Sequence, residues 1–137
     1  MSEEEKVLMA VKGPFHHVHL VSQDPRATAQ WYVENLGGRI SDEADVRGST
    51  RVRVQLGEAR LNIRAPRTGE TFVAPGKGKL MGIEHFALSV DELEGMMGEL
   101  KKNEVTIVEP IFTTPDGGLA SLIEGPDGVL IEIMEIS

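Results

Sequence analysis

His17, His85 and Glu132 are side chains of types that can together hold a divalent cation. Two imidazoles and one carboxylate are the donors used by zinc, iron, manganese, cobalt or nickel sites that keep coordination positions open for a substrate. Thiolate chemistry is excluded: the chain has no cysteine, hence no disulfide framework, no thiolate ligand and no cysteine nucleophile. Arg51, Arg53, Arg60 and Arg64 are half of the eight arginines, packed into fourteen residues of a chain with a formal charge of -8. Arg51, Arg53 and Arg64 suit charge-assisted bonds to a carboxylate, phosphate or phosphonate. His19 is a general base, an outer partner of a metal ligand or simply part of a pocket wall. Each of these residues also has an ordinary reading. A lone strand histidine is commonly a surface group, and arginines on an exposed strand serve solubility.

The elements that would position these groups follow from periodicity. FHHVHLV (15 to 21) is expected to be a strand, closed by the turn residues Ser22, Gln23, Asp24 and Pro25. Asp24 can cap a helix with Pro25 at its first position. Ala29, Tyr32, Val33 and Leu36 form its apolar stripe before Gly37 and Gly38 stop it. A strand near Arg39 to Ser41 comes next, then TRVRVQL (50 to 56) and ARLNIRA (59 to 65), both alternating with period two around a Gly57-Glu58 turn. Residues 66 to 82 show neither period and are expected to be a linker over the surface. The pattern then starts again with a strand at IEHFALSV (83 to 90). Asp91 is the expected cap of the next helix, Glu94 completing a capping box and Leu93, Met96, Met97 and Leu100 its stripe. Strands near 105 to 109, 119 to 124 and 129 to 135 finish the chain.

Strand, helix and three strands thus occur twice, and the landmarks keep step. His17 to Asn62 is 45 residues and His85 to Glu132 is 47, an internal repeat at the level of supersecondary structure. The expected fold is α+β: two tandem βαβββ modules forming a cupped, partly closed mixed β-sheet with helices on the outside. One domain over 1–137 is expected, with module one at about 14–65 and module two at about 83–136. Alternation assigns the faces. Val18, Leu20, Val52, Val54, Leu56, Leu61, Ile63, Phe86, Leu88, Val90, Ile131 and Ile133 should pack on the helices. His17, His19, Arg51, Arg53, Arg60, Asn62, Arg64, His85 and Glu132 should face the cup. A polar sheet face is often just solvated. The equivalent placing of His17 and His85 in the two first strands, with Glu132 in the last, favours a shared site instead. His16 should point to the helix side or the edge as a structural group.

At HHVHLVSQD, WYVENLGG, GIEHFALSVDEL and GPDGVLIEIME the chain resembles the vicinal oxygen chelate superfamily, which includes glyoxalase I, methylmalonyl-CoA epimerase, extradiol dioxygenases and the bleomycin-resistance proteins. The resemblance runs from about 14 to 136. It implies metal ligands at His17, His85 and Glu132 and puts Asn62 at a fourth position, where glyoxalase I has a glutamate. An amide neither brings negative charge nor takes a proton, so a mechanism with two glutamates as acid and base does not carry over.

The implied activity is that of a metal-dependent lyase or isomerase of glyoxalase or epimerase type. It would act on a small, oxygen-rich, anionic substrate through a metal-bound enolate or enediolate, with Glu132 or His19 as base, and Asn62, Arg51, Arg53 and Arg64 against the substrate. The cofactor is one divalent ion, Zn, Ni, Co, Mn or Fe. Two readings compete: an Fe(II) extradiol-type dioxygenase using the same three ligands, and a metal-free protein that binds an antibiotic or other small molecule. The acidity argues against nucleic acid as a partner. No run is long enough for a membrane span, and MSEEEKVLMAVKG lacks the order of a signal peptide, so a cytoplasmic protein is expected. The resemblance also implies a homodimer, with modules paired within a chain or swapped between chains.

Overall fold

The computed structural model describes residues 1–73 and 81–136. The expected α+β architecture of two tandem βαβββ modules is present as two four-stranded mixed sheets, not closed on one another. After a short helix α1 (Glu3–Leu8), module one comprises β1 (Val18–Val21), α2 (Pro25–Leu36), β2 (Arg39–Val46), β3 (Ser49–Leu56) and β4 (Ala59–Arg64). Module two repeats it with β5 (Phe86–Ser89), α3 (Leu93–Lys102), β6 (Thr106–Thr113), β7 (Leu119–Glu124) and β8 (Leu130–Glu135). The sheet orders are β1-β4-β3-β2 and β5-β8-β7-β6, the first strand of each module lying parallel to its last. β1 and β5 therefore each leave one edge unpaired among the described residues.

Helix α2 forms where the sequence places it. The Asp24 carboxylate accepts the Ala27 N–H at 3.1 Å, Pro25 opens the first turn, and Gly37 ends the helix at φ 69. That left-handed turn is nearly free of strain only for glycine. It turns Gly38 onto the sheet, its N–H donating to the Tyr32 carbonyl at 3.1 Å. A Cβ at Gly38 would sit 2.8 Å from Val54 Cγ1 and 2.9 Å from Leu56 Cδ2. Gly38→Ala is accordingly expected to destabilise the fold by about 1–3 kcal/mol through overpacking, read as a lower urea midpoint at unchanged slope.

The faces divide by alternation. Val52, Val54, Leu56, Leu61, Ile63, Ile131 and Ile133 are buried in one core with Ala29, Tyr32, Leu93, Met97 and Leu100, and Val18, Leu20, Phe86, Leu88 and Val90 pack against it. The two helix-bearing faces thus share their core, and Asn103 of the second module donates to the Asn35 amide oxygen of the first at 3.1 Å. Three expectations need correcting. Glu92, not Asp91, caps α3, its carboxylate accepting the Gly95 N–H at 2.9 Å. β2 runs on to Val46 and β6 to Thr113, past the expected ends at Ser41 and Glu109. Helix α1, closed by a Ser2–Glu5 capping box, was not anticipated. Part of the expected linker, 74–80, lies outside the described residues.

Candidate functional site

The second module brings two of the three proposed ligands together. His85 directly precedes β5, and the parallel register sets Ala87 opposite Glu132, so both side chains rise on the face away from the helix. His85 Nε2 stands 3.7 Å from Glu132 Oε1, and its Nδ1 is 3.9 Å from Glu84 Oε1. The first separation is too long for a hydrogen bond. It is short enough for one cation to reach both donors at bond lengths of about 2.0–2.2 Å.

His17 belongs to a different group. Its pKa is held below the ordinary imidazole value by partial burial first, then by His16, Arg53, Arg60 and Arg51, all groups of its own module. His19, whose ring lies 5.7 Å from that of His17, is likewise lowered by partial burial and then by His17, Arg64, Arg67 and Arg51. Both shifts favour the neutral ring, the state in which an imidazole ligates or takes a proton. Among the described residues no three His, Cys, Asp or Glu side chains gather closely enough to hold a metal. The candidate ligands fall into two separate groups, His85 with Glu132 in the second module and His17 with His19 in the first.

Of the two places expected for His16, the helix side or the edge, it takes the edge, just before the edge strand β1. It is exposed, its Nδ1 lies 2.7 Å from His17 Nδ1, and Arg60 Nη1 donates to its Nε2 at 3.1 Å. A guanidinium only donates, which fixes the order of hydrogens in the row. His16 Nε2 accepts, its Nδ1–H donates to His17 Nδ1, and the neutral His17 ring carries its hydrogen on Nε2. Ligation through His17 Nε2 requires that hydrogen to move to Nδ1 and the Arg60–His16 bond to be released.

The arginines sort themselves by partner. Arg51 bonds Asp42 at 2.8 Å, and Arg64 bonds Glu70 through both nitrogens at 2.6 and 3.0 Å. Arg53 has no acidic partner among the described residues; its Nε donates to Asn62 Oδ1 at 2.9 Å, while Arg60 turns to His16. Asn62 is 5% exposed, and the Arg53 bond occupies its oxygen. The cup face of the first module thus presents two guanidiniums, Arg53 and Arg60, that no carboxylate neutralises. Sequence reasoning missed Arg67 and Glu70, which lie where no periodicity points. The arginine density around position 60 was the only signal nearby.

The chain matches the sequence profile of the Glyoxalase/Bleomycin resistance protein/Dioxygenase superfamily over residues 15–133. It belongs to that superfamily. Human mitochondrial methylmalonyl-CoA epimerase is 25% identical over 128 residues, covering 88% of this chain and 73% of that protein. Among solved structures, a glyoxalase family protein from Enterococcus faecalis is 24% identical with a TM-score of 0.73, covering 89% of this chain and 97% of that one. A glyoxylase/bleomycin resistance protein/dioxygenase domain from Frankia sp. EAN1pec reaches a TM-score of 0.77 at 20% identity, covering 93% and 94%. The trypanothione-dependent glyoxalase I of Leishmania major has a TM-score of 0.70 at 18% identity, covering 90% and 87%. At these identities the solved structures speak to the fold. No helix among the described residues is long and apolar enough to cross a membrane.

Proposed function

We propose that this protein is a metal-dependent lyase or isomerase of the glyoxalase or epimerase kind, acting on a small oxygen-rich anion. In this reading its site forms where the His17 half of one chain meets the His85–Glu132 half of a second copy. The observation that carries it is the His85–Glu132 pair, 3.7 Å apart, in a chain whose third proposed ligand, His17, directly precedes a strand of the other sheet. The unpaired edges of β1 and β5 support the assembly, since an open edge offers free N–H and C=O groups to another strand. His17, His85 and Glu132 would hold the ion, which when bound would polarise a substrate carbonyl. The chain's own groups do the rest. Arg53 and Arg60 draw in and orient the anionic group. Glu132 or the neutral His19 takes a proton from the carbon beside the carbonyl and returns it. Asn62 keeps Arg53 in position.

Two measurements test this reading. Methylmalonyl-CoA, the compound in the name of the human relative, is the first substrate to try in deuterated buffer. Deuterium entering at the carbon between its carbonyls supports proton-transfer chemistry. Oxygen uptake with about one iron per chain would transfer the protein to the dioxygenases, and no bound metal would make it a binding protein. The shared site is tested by mixing His17→Ala with His85→Ala under subunit exchange. Half of the dimers are then mixed and hold one intact site each, so bound metal should recover to about a quarter of the wild-type content. No recovery would argue for a site within one chain.

A further inference from the structure

The loop after β4 holds a carboxylate against a group of guanidiniums. Glu70 accepts from both terminal nitrogens of Arg64 and, through Oε1, from the backbone N–H of Arg67 at 2.6 Å. Arg51 lies directly across from Arg64 in the β3–β4 register. Arg67, whose backbone N–H holds Glu70, adds its charge to that of Arg64 on the same carboxylate. Within this group Arg51 Nη1 and Arg67 Nε are buried and have no hydrogen-bond partner among the described residues. Leaving a buried donor of a charged group unsatisfied is expensive, and arginine cannot shed its charge to avoid it. Three guanidiniums face two carboxylates, Asp42 and Glu70, so one positive charge is left over where two N–H groups lack acceptors. A cavity of about 360 Å³ lies beside the loop, its walls including Val21, which is the β1 neighbour of Arg64, with Pro66, Phe72 and Val73 and the acidic Asp127.

We propose that Arg51, Arg64 and Arg67 form an oxyanion subsite for a second carboxylate or phosphate group of the substrate, apart from the one that Arg53 and Arg60 orient. Glu70 is its built-in competitor, displaced from Arg64 when that group binds. The subsite deepens the proposed function, since it rests on an anionic substrate. Glu70 plays the part of the ligand in the resting chain: it presents two oxygens to a guanidinium fork as an incoming carboxylate would. Its pKa is held down to about 2, by Arg64 first and then by the Arg67 backbone N–H, so it stays anionic and competes at any physiological pH. A substrate oxyanion that also satisfies Arg51 Nη1 and Arg67 Nε gains bonds that Glu70 does not make, and that difference drives the exchange.

The test titrates inorganic phosphate and, separately, malonate into the full chain by calorimetry at fixed ionic strength. EDTA is present throughout, which makes the result independent of the metal content that tests the proposed function. Glu70→Gln is expected to bind one of the two anions about tenfold more tightly than the wild type, and adding Arg67→Gln should remove the gain. A larger gain for phosphate assigns the subsite to phosphoryl groups, and a larger gain for malonate assigns it to carboxylates. Equal affinity in Glu70→Gln and wild type, or a gain that survives Arg67→Gln, overturns the proposal. Should Glu70→Gln fail to fold, the arginine Nε–H signal of Arg67 in the wild-type NMR spectrum decides instead. It shifts as either anion saturates if the proposal holds, and stays put if it does not.

Discussion

His85→Ala should leave the protein folded and strip it of metal, lowering metal affinity by more than about a hundredfold. Loss of an outer hydrogen-bond partner alone costs roughly 10–100-fold, and His85 is half of the proposed His85–Glu132 ligand pair. A cation contributes several kcal/mol to charge stabilisation, so turnover should fall by roughly a thousandfold or more. Side-chain burial at His85 is modest, with 33% of its surface exposed, and truncation there opens no core cavity. Metal analysis of protein purified without chelator, with circular dichroism as the folding control, reads the result. Metal content surviving the substitution would place the ion elsewhere.

The second large effect falls on the core. Tyr32 is fully buried on α2, its ring edge-to-face with Trp31 at a centroid distance of 5.0 Å. Tyr32→Ala is expected to cost about 3–5 kcal/mol, the usual range for emptying an aromatic position. The hydroxyl tells a different story from the ring. It is buried without a hydrogen-bond partner among the described residues, and burial first, then the charge of Asp127, pushes its pKa far up. A buried hydroxyl with no acceptor is a penalty. Tyr32→Phe should therefore raise stability by about 1 kcal/mol while Tyr32→Ala lowers it. Urea denaturation of the pair separates ring from hydroxyl, and a destabilised Tyr32→Phe would mean that the hydroxyl has a partner in solution.

The parts legible in the sequence were those written as a period. Val52, Val54 and Leu56 against Arg51, Arg53 and Gln55 set the two faces of β3 without ambiguity, and Asp24, Pro25 and Gly37 marked both ends of α2. Edge strands were harder to see. β2 is exposed along most of its length, so its continuation through Asp42, Glu43 and Asp45 shows no apolar alternation. β6 contains Pro110, which an edge strand tolerates but which ends a strand on paper. The α3 cap was misplaced by one residue because Asp91 and Glu92 both offer a carboxylate, and only the backbone decides which reaches Gly95. In the site, residue types and faces were legible because they follow strand parity. Which arginines are already neutralised was not. Arg51 and Arg64 find their acids on β2 and on an aperiodic loop, and the His16–His17–Arg60 row depends on the irregular segment before β1.

Asn62 finally sets the charge balance around its own position. On the proposed ligand set a dication meets a single anionic ligand, Glu132, and keeps one unit of charge; Arg53, bonded to a neutral amide, adds a second. A glutamate at position 62 would cancel one of these charges and draw Arg53 into an internal ion pair. With asparagine there, both charges are left for the substrate to balance. This favours ligands that arrive carrying two negative charges over neutral ones of the same shape.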